Sequence, residues 1–257
     1  MSIFRYLTYT GLLIALLGCA SHAPVQPLDL KSLPPARVFL DQNNRLNYRG
    51  ILSAAANEKL FALYSHADPK PTVLAISSGG GNTNLGMDVG EWIAANKLDV
   101  VIERYCASSC ANYIFTAGNN KYLYRDSIVL WHGSSLRMSP SENFLVHNNR
   151  MDDGQLREKR FFQRINVNPE ICSHGFYLYS DRVTLADLGL DLSFWRRLKI
   201  WLFRSPVRVG GFDYSIDDLQ KFGVKNIELI DGEWDWRAYN DSTYVFRAKY
   251  PMPVADE

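Results

Sequence analysis

Three short stretches within residues 73–133 carry residue types suited to acyl transfer. An apolar run, Val73-Leu74-Ala75-Ile76-Ser77-Ser78, ends in Gly79-Gly80-Gly81. Cys106-Ala107-Ser108-Ser109-Cys110 sets two hydroxyls between two thiols, and a second apolar run, Ile128-Val129-Leu130-Trp131, ends in His132. A serine attacks a carbonyl only when a base takes its proton and donors receive the charge that grows on the carbonyl oxygen. Glycines let backbone N–H groups approach a substrate closely, a serine at a strand-to-helix turn exposes its hydroxyl, and histidine titrates near neutrality. In chain order the stretches therefore supply an oxyanion loop, a nucleophile and a base. Each alone has an ordinary explanation: a flexible turn, a helix N-cap, a structural histidine. All three at the ends of neighbouring strands point to hydrolase chemistry.

The surrounding pattern must bring those strand ends together. It predicts a strand at 73–78, a helix over about 84–96, a strand at 98–105, a helix over 109–117 closed by Gly118, and strands at 121–124 and 128–131. Strands alternating with helices imply parallel pairing with crossover helices, so the fold class is α/β with a mostly parallel central sheet. Short strands at 37–41 and 46–48 and a helix over 51–66 precede this section; helices at 152–165 and 216–222 and a strand at 226–230 follow it. Starting the 109–117 helix at Ser109 puts the Cys110 N–H at an anion-binding helix terminus. With N–H groups from the Gly79-Gly80-Gly81 loop on a neighbouring strand end, this makes a two-sided oxyanion hole.

The N-terminus predicts an exported chain. Residues 1–18 carry Arg5, then Leu12-Leu13-Ile14-Ala15-Leu16-Leu17, the form of a signal peptide. Leu16-Leu17-Gly18-Cys19 resembles a bacterial lipobox, which implies lipidation of Cys19; Ala20 after it is similar to the outer-membrane sorting pattern. Residues 19–36, with Pro24, Pro27, Pro34 and Pro35, read as a tether to the membrane. The ordered domain is expected over 37–240, with 241–257 as a C-terminal tail. Removing residues 1–18 deletes Arg5 and no acid, so 28 basic side chains become 27 against 27 acidic. That balance calls for no nucleic-acid partner. The aromatic and basic insert at 194–208 suits either a solvated covering helix or the lipid surface.

Without Cys19, three of the four cysteines remain: Cys106, Cys110 and Cys172. In an oxidising compartment an odd count implies one bridge and one free thiol. Cys106–Cys110 is preferred for proximity across a turn, with Cys110–Cys172 as the alternative. The spacing suits no metal site, and no cofactor is expected.

Together these segments resemble the ClpP/crotonase superfamily, in particular its secreted, ATP-independent ClpP-like branch of bacterial envelope proteins. Ile76–Gly81 with Leu85-Gly86-Met87 is similar to the family's Asn-Ser-Pro-Gly-Gly loop and helix. Ser108–Ala111 through Thr116-Ala117-Gly118 resembles its nucleophile helix, Trp131-His132 its base strand, and Asp217–Val224 its closing segment. The resemblance implies a spiral of ββα units. It also implies Ser109 as nucleophile (counted back from Thr116-Ala117-Gly118), His132 as base, and Gly80, Gly81 and Cys110 N–H groups as oxyanion donors. The acid departs from the family pattern: Asp181, in an Asp-Arg pair, is preferred, with Asp213 as the alternative. The expectation is a lipid-anchored envelope serine peptidase facing the periplasm, acting on polypeptide without an ATPase partner. Family habit adds a homo-oligomer, and the competing expectation is an inactive binding or scaffolding relative.

Overall fold

The computed structural model describes residues 35–136, 151–175, 211–236 and 245–250. The leader, Cys19, Asp181 and the 194–208 insert lie outside those residues. The strands are β1 (Arg37–Leu40), β2 (Leu46–Arg49), β3 (Val73–Ser78), β4 (Asp99–Ala107), β5 (Lys121–Leu123), β6 (Ile128–Leu130), β7 (Gly211–Tyr214), β8 (Ile227–Leu229) and β9 (Val245–Ala248). The α-helices are α1 (Ala54–His66), α2 (Thr83–Asn96), α3 (Asp153–Ile165) and α4 (Ile216–Lys221). A further helix over 109–117, with a π-helical stretch at Cys110–Phe115, follows β4 and is called the elbow helix.

The chain is α/β with a mostly parallel central sheet, as the alternating pattern implied. Its strand order is β1-β2-β3-β4-β5-β8, and β6 also pairs with β4. Within it, the β1–β2 pair alone is antiparallel. β3 and the Val100–Ile102 stretch of β4 read as apolar runs because strands in the middle of a parallel sheet are covered on both faces, while Glu103 and the exposed Arg104 interrupt β4. The long strand β4 serves two neighbours on one side. Val100–Ile102 pair with β5, while Tyr105–Ala107 pair with β6. The end of β4 is consequently flanked by β3 on one side and β6 on the other.

Local signals start and stop the helices. Ser53 caps α1 by accepting from the Ala56 N–H, and Asn82 caps α2 by accepting from Asn84 and Leu85. Asp152 and Gln155 form a reciprocal capping box on α3, and Asn166 ends that helix in the left-handed conformation. α2 turns Gly86, Met87, Val89, Gly90 and Ile93 inward. A Cβ at Gly86 would come 2.7 Å from Tyr113 Cδ2 and 2.9 Å from Ser109 Cβ, so the elbow helix lies directly on α2 at that point. Tyr113 continues the core into α3, edge-on to Phe161 at 5.4 Å between ring centres.

β7 and β9 form a separate parallel pair, joined to the main sheet by an antiparallel bridge between Trp131 and Phe212. Val245–Ala248, which the sequence reading placed in a tail beyond residue 240, is thus part of the described fold. Lys121 on β5 is buried, with its Nζ donating to the Gly118 and Lys225 carbonyls at 2.7 and 2.9 Å. Among the described residues, no helix is long and apolar enough to cross a membrane.

Candidate active site

β4 ends at Ala107 and the elbow helix begins at residue 109, so Ser108 alone makes the turn. Its φ of 58° lies in the left-handed region, which a non-glycine residue enters only at a cost of about 1–2 kcal/mol. The Ser108 N–H donates to the Leu130 carbonyl at 2.9 Å, and the Ser108 carbonyl accepts from the Asn112 N–H at 2.8 Å. The first bond holds the elbow to the end of β6; the second starts the helix. Cys106 and Cys110 are joined across the turn, with Cα atoms 5.2 Å apart, which realises the preferred pairing. Among the described residues Cys172 is the free thiol, buried away from water, and burial raises its pKa well above the ordinary thiol value.

The two serines differ. Ser109 is 3% exposed, and its Oγ donates to the Gly81 carbonyl at 2.8 Å. Ser108 is half-buried, and no described group hydrogen-bonds its hydroxyl.

The glycine loop lies against the same turn. In register, Ser78 pairs with Cys106, so residues 79–81 run beside 107–109. A Cβ on Gly80 would meet Ala107 O at 2.5 Å, and Ser108 Cβ and Ser109 N at 2.8 Å each. The Gly80 N–H is taken by Ser78 Oγ at 3.1 Å. Its carbonyl accepts from the Leu52 N–H at 2.8 Å, on the β2 side of β3. Across a trans peptide the next N–H points the opposite way. The Gly81 N–H is therefore directed to the β4 side, where the elbow stands, and no described group accepts from it. Cys110 precedes Asn112, the residue whose N–H makes the first bond of the elbow helix, so its N–H is an orphan of the first turn. Of the three expected donors, the Gly81 and Cys110 N–H groups have no described acceptor, whereas the Gly80 N–H is taken.

His132 follows Trp131 at the end of β6, and pairing of Ala107 with Leu130 brings this strand end level with the elbow. The residue is exposed, yet protein atoms crowd the imidazole enough that desolvation lowers its pKa below 6.5, with a bond to its own backbone opposing that shift. At neutral pH the ring is the uncharged form that accepts a proton.

Asp213, the alternative acid, is not brought to it. Asp213, 0% exposed on β7, accepts from Arg247 Nε at 2.9 Å and Arg247 Nη2 at 3.0 Å, and from Trp236 Nε1 at 3.0 Å. The Trp131–Phe212 bridge sets Asp213 opposite Leu130 rather than His132. Asp181 lies outside the described residues.

Two residues near the site escaped sequence reasoning. Asn112, a lone amide in an apolar helix, donates Nδ2 to the Gly133 carbonyl at 2.8 Å, while its buried Oδ1 has no partner. Glu158 is a buried carboxylate on α3. Its sequence signal is its position three and four residues before the core residues Phe161 and Phe162. Among the described residues no group of histidine, cysteine, aspartate and glutamate could hold a metal ion.

The arrangement presents a hydroxyl, an uncharged imidazole and two free backbone donors at one sheet edge, the set that acyl transfer requires. No protein-family model matches the chain, and no curated protein matches it either.

Proposed function

We propose that this protein is a serine hydrolase of the ClpP/crotonase type, an ATP-independent peptidase held to the bacterial envelope by a lipidated Cys19. The observation that carries the reading is the wedge of Gly80 against the Ser108–Ser109 turn, next to the Gly81 and Cys110 N–H groups that have no described acceptor. In this reading the turn supplies the nucleophile, His132 takes its proton, and the two N–H groups hold the oxyanion. Register with the family favours Ser109; exposure and hydrogen bonding support Ser108, because the Ser109 hydroxyl is buried and committed to the Gly81 carbonyl. The substrate class is extended polypeptide, and the spiral fold and a homo-oligomeric assembly belong to the same proposal.

A second reading rests on one specific observation. Asp213 is occupied by Arg247 and Trp236 rather than His132, which suits a non-catalytic binding or scaffolding relative. A fluorophosphonate probe separates the two. Labelling of the wild type that disappears in Ser108→Ala but persists in Ser109→Ala supports the enzyme with Ser108 as nucleophile, and the reverse pattern assigns Ser109. A wild type that resists labelling at every concentration of protein refutes the enzyme.

A further inference from the structure

We propose that Glu158 is a positioning residue for His132, its buried carboxylate clamping the segment after the imidazole against the elbow helix. The proposal rests on His132 as the base of the reading above and names what holds it there. Glu158 is 0% exposed. A carboxylate in that setting is costly unless paired or fully hydrogen-bonded, and no described cation pairs with it. Three donors serve it instead. Tyr113 Oη donates to Oε1 at 2.9 Å, the Leu136 N–H donates to Oε2 at 3.0 Å, and Ser135 Oγ also donates to Oε2. Burial, and then the Glu158 charge beside it, raise the Tyr113 pKa far above the ordinary phenol value, so this group stays a donor.

The positions of those donors give the cluster its direction. Tyr113 stands on the elbow helix; Ser135 and Leu136 follow His132 by three and four residues. Two more bonds grip the same segment. Gln155 on α3 donates Nε2 to the Ser135 carbonyl at 3.0 Å, and Asn112 on the elbow helix donates Nδ2 to the Gly133 carbonyl at 2.8 Å. Residues 133–136 are thus tied both to α3 and to the helix that follows the nucleophile. His132 itself is exposed, and its ring has no described partner beyond its own backbone. Fixing the backbone just after it fixes the direction of its Cα–Cβ bond. A directly bonded aspartate orients a histidine by contact; here a carboxylate does so through the backbone. Glutamine replaces it imperfectly: a carboxamide has one acceptor oxygen and no charge, so Tyr113 Oη must turn from donor to acceptor to stay bonded.

The test compares full-length wild type with Glu158→Gln and the milder Ser135→Ala. Three quantities are measured: thermal unfolding, the His132 ring signals in a ¹H–¹³C NMR spectrum, and the rate of fluorophosphonate labelling. The expected result is a folded E158Q protein whose His132 signals move toward those of a freely rotating, solvated histidine. Its labelling slows by about tenfold or more, the scale expected for a misplaced reacting group. S135A moves the His132 signals the same way by less. A brace with no bearing on His132 would lower only the melting temperature. His132 signals that coincide with wild type in folded E158Q or S135A therefore overturn the proposal, and S135A alone decides it if E158Q does not fold. Failure of the wild type to label refutes the hydrolase reading, while the NMR comparison still decides the clamp.

Discussion

Replacing Gly80 with alanine perturbs the site at its tightest point. Gly80 adopts φ +86°, and the added Cβ would lie 2.5 Å from Ala107 O and 2.8 Å from both Ser108 Cβ and Ser109 N. Two costs add. A left-handed conformation disfavours an L side chain by about 1–2 kcal/mol. The overlap falls on backbone atoms and a Cβ, none of which can swing aside, so the strands must separate; overpacking of this kind costs about 1–3 kcal/mol. The sum, about 2–5 kcal/mol, compares with the roughly 5–15 kcal/mol by which native domains are stable. For a domain of this size each kcal/mol lowers Tm by about 2–4 °C, so a fall of roughly 4–20 °C is expected. The assay is urea denaturation of both proteins, read as a shift in midpoint at constant slope, together with fluorophosphonate labelling at a temperature where both are folded. Because the displaced atoms belong to the nucleophile turn, labelling falls even in the folded G80A protein. A G80A protein within about 0.5 kcal/mol of wild type, the range of ordinary surface changes, and labelled at the wild-type rate would refute the wedge.

Two further outcomes are expected. Burial lowers the Lys121 pKa to about 8 from an unfolded value near 10.5, with Asp99 partly opposing it. The unfolded chain binds more protons between those values, so stability rises with pH across that window by about 3 kcal/mol; the wild-type minus Lys121→Met difference in urea stability should show that rise, and a flat difference rejects it. Opening the Cys106–Cys110 bridge by a Cys106→Ser/Cys110→Ser double change removes closure of a short loop, worth roughly 2 kcal/mol on the chain-entropy account. It also frees the Ser108 turn, so both denaturation midpoint and labelling should fall, and an unchanged midpoint counts against the bridge as a brace.

Much of the central sheet was legible because its signals are local. β3 and β6 are apolar runs that end in turn residues, and the four-residue separation of Cys106 and Cys110 suggested their pairing without any knowledge of the fold. The edge where the glycine loop, the serine turn and His132 meet followed from strand alternation alone. The structure adds that β4 is long enough to carry β5 and β6 in tandem, which makes that edge a meeting point. β7 and β9 were not legible. Each has four residues and includes a charged one, Asp213 or Arg247, whose apolar surroundings exist only once strands 34 residues apart have paired. The difference between the two serines was hidden for a related reason. Ser109 spends its hydroxyl on Gly81, a contact across 28 residues that no helix-start rule reveals.

The carboxylates decide how the hydrolase reading should be weighed. Asp213 already accepts two bonds from Arg247 and one from Trp236, so turning it to His132 would break all three. Asp213 is fully buried, although Arg247 is 35% exposed, and removing its bonds is unfavourable. Recruitment of Asp213 by substrate is thus a poor route to a complete triad. Glu158 bears on the same histidine without touching it, which can supply direction but does little to stabilise the imidazolium formed during attack. What remains in full is the pair of backbone donors at Gly81 and Cys110. Donors of this kind account for a large share of catalysis in serine hydrolases, and residual rates of about 10³–10⁴ over water survive even without a triad member. On the hydrolase reading, the described part of the site depends on its oxyanion hole. For that reason Gly80, which sets the spacing between loop and turn, is a more exacting test of the site than either candidate aspartate.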